Sequence, residues 1–333
     1  MKFNDRVQQK NGKVVFAIIL SLSFLLAVPI GLLTGTADIS LSDIFSLLKN
    51  SSDSSFKIII LDIRLPRMVL SFTVGGALAI SGAVFQGLLI NPLADSYTTG
   101  ISSGAAFGAS VAILIGFGSY YLPIFALIGA LITLLLVMVL SSKSGGFEPR
   151  NLILSGIIVG AILSAALSLI KSISGDSLGA LIFWLLGSFS GRSWLEVIIL
   201  LPYFIVGVTL IISQSRELDL LSFGSEQAQA LGVNVKKSRY ILIISSAILA
   251  AASVAVSGII GFVGLVIPHI VRVIFGASHR WLLPISLLLG GVVLLWADIL
   301  VRALSFAGEI PVGVITSLVG GPFFCILLLR KLK

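Results

Sequence analysis

Serine and glycine supply most of the residues in this chain that could do chemistry. The pattern Gly-x-Ser-x-Gly, which presents a nucleophile on a tight turn in some hydrolases, occurs twice. Ser102 stands between Gly100 and Gly104, and Ser177 between Gly175 and Gly179. A serine nucleophile needs a base. The only histidines, His269 and His279, lie toward one rim, and neither serves both serines. Two hits in a Gly/Ser-rich chain reflect composition, and an esterase or intramembrane protease is a poor reading. There is no G-x-x-x-x-G-K-[ST], so the chain lacks a P-loop for ATP, and no His-Glu-x-x-His for zinc. A third pattern is a ladder of small residues at four-residue spacing, Gly156, Gly160, Ser164, Ser168 and Ser172. Each step drifts about 40° around a helix, so three successive members share a face but five do not. The ladder suits close helix packing or the wall of a polar pathway.

The charged residues are few and placed at the ends of apolar runs. Arg64-Leu-Pro-Arg67 puts proline where a helix begins. Its two arginines can anchor a span among headgroups or offer bidentate donors to a partner's carboxylates. Arg302 follows Asp298 by four residues, the spacing of an i,i+4 ion pair. Between Arg67 and Lys143 the only charge is Asp95, which falls in a loop. Ionisable groups at bilayer depth mark proton and ion pathways, so their scarcity argues against a proton- or sodium-coupled carrier. The stretch Gly224-Ser-Glu226-Gln-Ala228-Gln-Ala230-Leu-Gly232 favours a short helix stopped at Gly232. Such a helix can lie on a membrane or dock in a partner's groove.

The elements that position these residues follow from composition. The chain has 333 residues, 57% hydrophobic and only 11% charged. A soluble surface needs about a quarter of residues charged, so lipid must solvate most of this one. Cys325 is the single cysteine, in an apolar run, and is expected to be a buried apolar side chain. A net charge of +8 reads here as cytoplasmic loops, with no nucleic acid implied. The basic start and the run from Val14 to Leu33 could mimic a signal peptide, but the run is long enough to span and is read as retained.

Apolar runs predict an all-α integral membrane protein with ten transmembrane helices. They cover residues 14–33, 68–90, 98–118, 121–141, 151–170, 194–213, 239–260, 262–275, 281–300 and 312–329. The piece 180–189 is too short to span and reads as a re-entrant or surface helix. No period-2 alternation suggests a barrel. With the N-terminus inside, the cytoplasmic segments carry 15 of the Lys and Arg residues and the external ones 7. That bias places both termini in the cytoplasm. Segment 34–66, with a Ser/Asp/Lys cluster at 49–57, is then external, and the mixed-charge segment 214–238 cytoplasmic. Ala79, Ser81, Gly82, Leu89 and Pro92 recur without a gap 176 residues later, in a span of opposite direction. An inverted repeat of this kind is a common transporter architecture.

Taken in order, the motifs resemble one family, the permeases of type II ATP-binding-cassette (ABC) importers for iron-siderophore, haem and cobalamin. The resemblance runs from about residue 14 to the C-terminus. It is carried by Arg64-Leu-Pro-Arg67, Gly76-Ala-Leu-Ala-Ile-Ser-Gly82-Ala-Val-Phe-Gln86, Asn91-Pro-Leu-Ala94 and Phe183-Trp-Leu-Leu-Gly187-Ser-Phe-Ser-Gly191. Gly261-Phe-Val-Gly264-Leu-Val-Ile-Pro268-His-Ile-Val-Arg272 is the strongest match, with Asp298-Ile-Leu-Val-Arg302 and Glu309-Ile-Pro311-Val-Gly313 completing the set.

The resemblance implies a homodimer of ten-span subunits in the cell membrane with one path at the interface. It also implies two separate ATPase subunits below, which bind the ATP, and a substrate-binding protein outside. The chain itself then has no cofactor, no metal and no catalytic residue. Gly224, Glu226, Ala228, Ala230 and Gly232 match the helix that couples to the ATPase. Arg64, Arg67 and Arg302 match positions that meet acidic residues of the binding protein. Ser164, Ser168 and Ser172 fall on the path-lining span. The turn before span 5 is the family's gate, and it reads Phe147-Glu-Pro149-Arg150 here, which departs from the family's small hydroxyl residues and leaves Pro149 and Arg150 as the possible gate. Arg192 is expected either to guide an anionic chelate or to be a solvated surface charge. The expected cargo is an iron-siderophore or haem, with cobalamin or a molybdate-type oxyanion as alternatives. Readings of another class are a secondary carrier, which needs an essential buried acid or base, and a non-transporting scaffold.

Overall fold

A computed structural model describes residues 2–37, 39–40, 42–43, 54–118, 120–143, 148–304 and 310–331. Within the 49–57 cluster, residues 49–53 lie outside this set, as do Phe147 and Glu309. The described chain is all helical. Each of the ten apolar runs falls on a helix: α1 (Lys2–Leu33), α2 (Leu65–Leu88), α3 (Ile101–Leu114), α4 (Leu122–Lys143) and α5 (Pro149–Ile173) in the first half. The short helix α6 (Leu178–Leu185) overlaps the 180–189 piece, beginning two residues before it and ending four before its end. The second half contains α7 (Trp194–Ser213), two short helices α8 (Ser215–Leu221) and α9 (Ser225–Ala230), and then α10 (Val235–Ser257). Helices α11 (Val263–Phe275), α12 (His279–Leu304) and α13 (Val312–Lys331) complete it.

Among the described residues seven helices are long and apolar enough to cross a membrane, whereas α3, α6, α11 and the 312–326 stretch of α13 are shorter apolar helices. The first span is longer than its apolar run, because nothing in residues 2–13 interrupts the helix. The third is shorter than expected. Residues 96–99 form a separate 3-10 turn, whose first N–H groups donate to the carboxylate of Asp95.

Helix α2 is the centre of the bundle and is buried on nearly every side. It packs against α10, α11 and α12, while α10 packs against α2, α3 and α4. Missing side chains make the approach possible. A Cβ on Gly75 would lie 2.3 Å from the carbonyl oxygen of Gly290 on α12, and one on Gly82 would lie 2.0 Å from that of Gly264 on α11. In lipid, helices associate through such close packing because apolar burial offers them little. Leu70, Val74, Leu78 and Phe85 fill the space around these contacts.

The ungapped correspondence at offset 176 breaks at Gly82. That residue sits inside α2, while its counterpart Gly258 ends α10 with φ +73°. Residues 258–262 cross to α11 without helical structure. The hydroxyl of Tyr97 holds this break, donating to the carbonyl of Ile260 at 2.6 Å and accepting from its N–H at 3.2 Å. Non-helical backbone is tolerated inside a membrane protein only where protein groups satisfy it. Phe262 then opens α11 in the left-handed region, φ +67°.

Candidate functional site

Contacts along α12 define two ends of the bundle. At one end Asp298, fully buried, accepts two hydrogen bonds from Nε of Arg67, at 2.9 and 3.2 Å. Nε of Arg302 lies 3.2 Å from Oδ2 of the same carboxylate, the i,i+4 pair expected from the spacing. Arg302 also donates through Nη1 to the carbonyls of Gly31 and Thr34. Arg64 donates to the carbonyls of Leu32 and Ala37. Arg64 and Arg302 thus meet at the C-terminal end of α1, and Asp298 joins Arg67 to Arg302. All three arginines are largely buried and committed to acceptors of their own chain.

Nearby, Ser193 and Glu196 form a capping box at the start of α7, and Nε1 of Trp194 donates to the carbonyl of Leu61. Arg192 lies 3.8 Å from Glu196 with most of its side chain buried. That geometry corrects one of the two expectations for Arg192: with 12% of its side chain exposed, it is not a solvated surface charge.

The opposite end holds the segment between α7 and α10. The helix expected between Gly224 and Gly232 forms as α9, and Gly232 follows it at φ +84°. Ala228 is fully buried and fixes α9 to the bundle, and Arg239 of α10 donates to the hydroxyl of Ser225 at 2.7 Å. Glu226 and Ala230 are not buried, and the flanking Phe223 and Leu231 are 74% and 65% exposed. Two large apolar side chains held outside the bundle on either side of a braced helix form a surface suited to a partner's groove.

Helix α8 meets α12 at the same end. Asp219 accepts from the backbone N–H of His279 at 2.7 Å, lies 2.7 Å from its Nδ1, and accepts from the hydroxyl of Ser278 at 3.2 Å. Partial burial opposes ionisation of Asp219. The hydrogen bonds from the His279 ring and backbone, the imidazole's charge and the Ser278 hydroxyl outweigh it and hold the carboxyl below its ordinary range.

The small-residue ladder of α5 divides as its drift predicts. Gly156 is buried against Thr98 and Thr99, where a Cβ would stand 2.4 Å from a carbonyl oxygen. Ser164, Ser168 and Ser172 emerge on the exposed side, among Ile162, Leu169 and Ile173. Pro149 opens α5, Arg150 is exposed beside it, and Leu88, Leu89 and Arg239 line the same small cleft as Pro149. The candidate gate is thus at the α8–α9 end. Cys325, expected to be buried, is exposed on α13. That helix leaves Leu318 and Val319 each 67% exposed, an apolar face that only lipid or another chain can cover. Among the described residues no group of three His, Cys, Asp or Glu side chains could hold a metal ion.

Sequence reasoning missed the Asp219–His279 contact and the Arg67–Asp298 pair. Their partners are 60 and 231 residues apart, and no local spacing announces such a contact. The rarity of acids in the apolar runs was the one available signal for Asp298.

Comparison with known proteins extends this geometry. A family model described as the FecCD transport family matches residues 19–330. The hemin transport system permease protein of Yersinia pestis is 42% identical over 98% of this chain and 98% of its own length. An Fe(3+)-citrate import system permease protein of Bacillus subtilis is 40% identical, again over 98% of both. A solved structure described as the inward-facing conformation of an ABC transporter of metal-chelate type superposes with a TM-score of 0.83 at 37% identity, covering 94% of this chain and 99% of that one.

Proposed function

The chain belongs to the FecCD transport family and is a multi-pass permease of an ABC importer, and on that footing we propose that it carries an iron chelate, haem or a ferric siderophore, into the cytoplasm. The observation behind the mechanism is α9, braced by Ala228 and Arg239 with Phe223 and Leu231 projecting from the bundle. Gly224, Glu226, Ala228, Ala230 and Gly232 form the segment that seats in a separate ATPase subunit, where the ATP is bound.

Ten spans cross the membrane, the three short apolar helices α3, α11 and α13 included, with both termini and the α8–α9 end cytoplasmic. The arginine end is then external. A second copy of the chain covers the exposed faces of α5 and α13, and Ser164, Ser168 and Ser172 line the path between the copies. A wall of hydroxyls and small residues holds a bulky solute weakly, which favours release. ATP-driven closure of two ATPase subunits supplies the differential affinity that moves the equilibrium between outward and inward states. Pro149 and Arg150, beside the coupling segment, are placed to follow that movement.

Docking of an external binding protein on Arg64, Arg67 and Arg302 requires its carboxylates to compete with Asp298 and with the carbonyls at the end of α1. A second reading, favoured by the Arg67–Asp298 pair, makes the arginines a brace of the external rim. Co-purification separates the two. The Arg64→Glu/Arg67→Glu double variant that assembles with the ATPase but loses the binding protein supports docking. The same variant failing to assemble at all supports the brace. Glu226→Arg is expected to lose the ATPase while the permease stays folded, and an ATPase that remains bound would overturn the coupling role of α9.

A further inference from the structure

Movement at α9 has to reach the helices around the path, and the contacts of α8 show one route. Only Ser222, Phe223 and Gly224 separate α8 from α9, and the turn is closed by N–H donations from Phe223 to Leu220 and from Gly224 to Leu221. Leu218 and Leu221 are buried, so α8 is packed down on the bundle. From α8, Asp219 reaches the first residues of α12. Its carboxylate takes the N–H of His279, one of the orphan donors that every helix leaves at its N-terminus. It also takes the hydroxyl of Ser278 and contacts the imidazole. His279 is 4% exposed, and its ring lies against α2, where a Cβ on Gly87 would stand 2.8 Å from Nε2. Three helices therefore meet on one side chain.

Helix α12 is suited to carry a displacement. It is continuous over 26 residues. Its far end, at Asp298, is fixed to Arg67 of α2, about 29 Å away at the α-helical rise. A capping group contributed by a different helix ties the position of α12 to that of α8.

We infer that Asp219 and His279 form the joint through which the coupling segment moves α12. Asp219 is a positioning residue in this role and touches neither nucleotide nor cargo. The inference rests on the proposed coupling role of α9.

The test uses the permease assembled with its ATPase subunits in lipid nanodiscs, in a Cys325→Ser background. Spin labels at Arg216 and Arg280 report the joint, and labels at Arg150 and Arg280 report movement of α12 relative to α5. On addition of ATP the 216–280 distance stays constant and the 150–280 distance shifts. Asp219→Ala cuts the shifted population about fivefold or more, because the first donors of α12 lose their side-chain acceptor. Asp219→Asn keeps an acceptor oxygen and retains most of the shift, a rescue that simple loss of packing does not give. A 216–280 distance that changes with ATP in the unsubstituted joint overturns the inference, and that measurement does not depend on any Asp219 variant folding. An undiminished 150–280 shift in Asp219→Ala, with the shift lost in Glu226→Arg, overturns the joint alone. A shift that survives Glu226→Arg removes the coupling role of α9 and the joint with it.

Discussion

Replacing Asp298 with alanine tests how the arginine end is held. The carboxylate is fully buried and has two guanidinium partners at 2.9–3.2 Å. Its removal leaves Arg67 and Arg302 buried without their counter-charge. Breaking a buried ion pair by deleting one partner costs about 3–5 kcal/mol. An unfolding entropy of roughly 2.1 cal/mol/K per residue gives a 333-residue chain about 0.7 kcal/mol/K, so the expected fall in melting temperature is about 4–7 °C. Thermal unfolding of the detergent-solubilised protein, followed by size-exclusion fluorescence, measures it. Asp298→Asn retains an acceptor for Nε of Arg67 and is expected to fall between alanine and the unsubstituted chain. An Asp298→Ala protein that melts within about 1 °C of the original would show that solvent or lipid already screens the arginines. Asp298 would then not be what holds the arginine end.

Three further outcomes follow from particular contacts. Gly75→Val forces a Cβ into the 2.3 Å gap to Gly290 and separates α2 from α12, so expression of folded protein should collapse, whereas a surface change such as Arg280→Gln should be neutral. Ser168→Trp, on the exposed side of α5, should leave the melting temperature within about 1 °C and abolish uptake, because surface changes rarely disturb stability. The Asp219 carboxyl is held below its ordinary range, so the stability it contributes is present above the unfolded pKa and lost as pH falls through the folded one. Comparing Asp219→Asn with the original chain should therefore show a stability gap at pH 7 that closes as pH drops below about 4.

Much of the fold could be read from the sequence because lipid imposes a simple rule on it. Each apolar run became a helix since unsatisfied backbone is prohibitive in hydrocarbon. The helix α9 was legible for a different reason, the glycine after it, which takes a left-handed conformation at Gly232. The Asp298–Arg302 pair was legible because one helical turn joins its members. What escaped depends on which helices meet. Arg67 and Asp298 stand on α2 and α12, and nothing local pairs them. Gly82 also admits the backbone of Gly264, an approach that its place in the 176-residue offset does not announce. The runs 239–260 and 262–275 divide inside the break at 258–262, but its extent lay hidden because its residues are as apolar as the helices around it, and only the hydroxyl of Tyr97 shows how its backbone is satisfied.

ATP-driven uptake into proteoliposomes tests the central claim most directly. The permease would be reconstituted with its ATPase and binding protein and offered labelled haem, a ferric siderophore and cobalamin in parallel. The account predicts accumulation of haem or the ferric siderophore, dependent on ATP and lost in Glu226→Arg. Accumulation of cobalamin alone would contradict the substrate assignment. Uptake that persists without ATP or ATPase would contradict the mechanism and point to a secondary carrier.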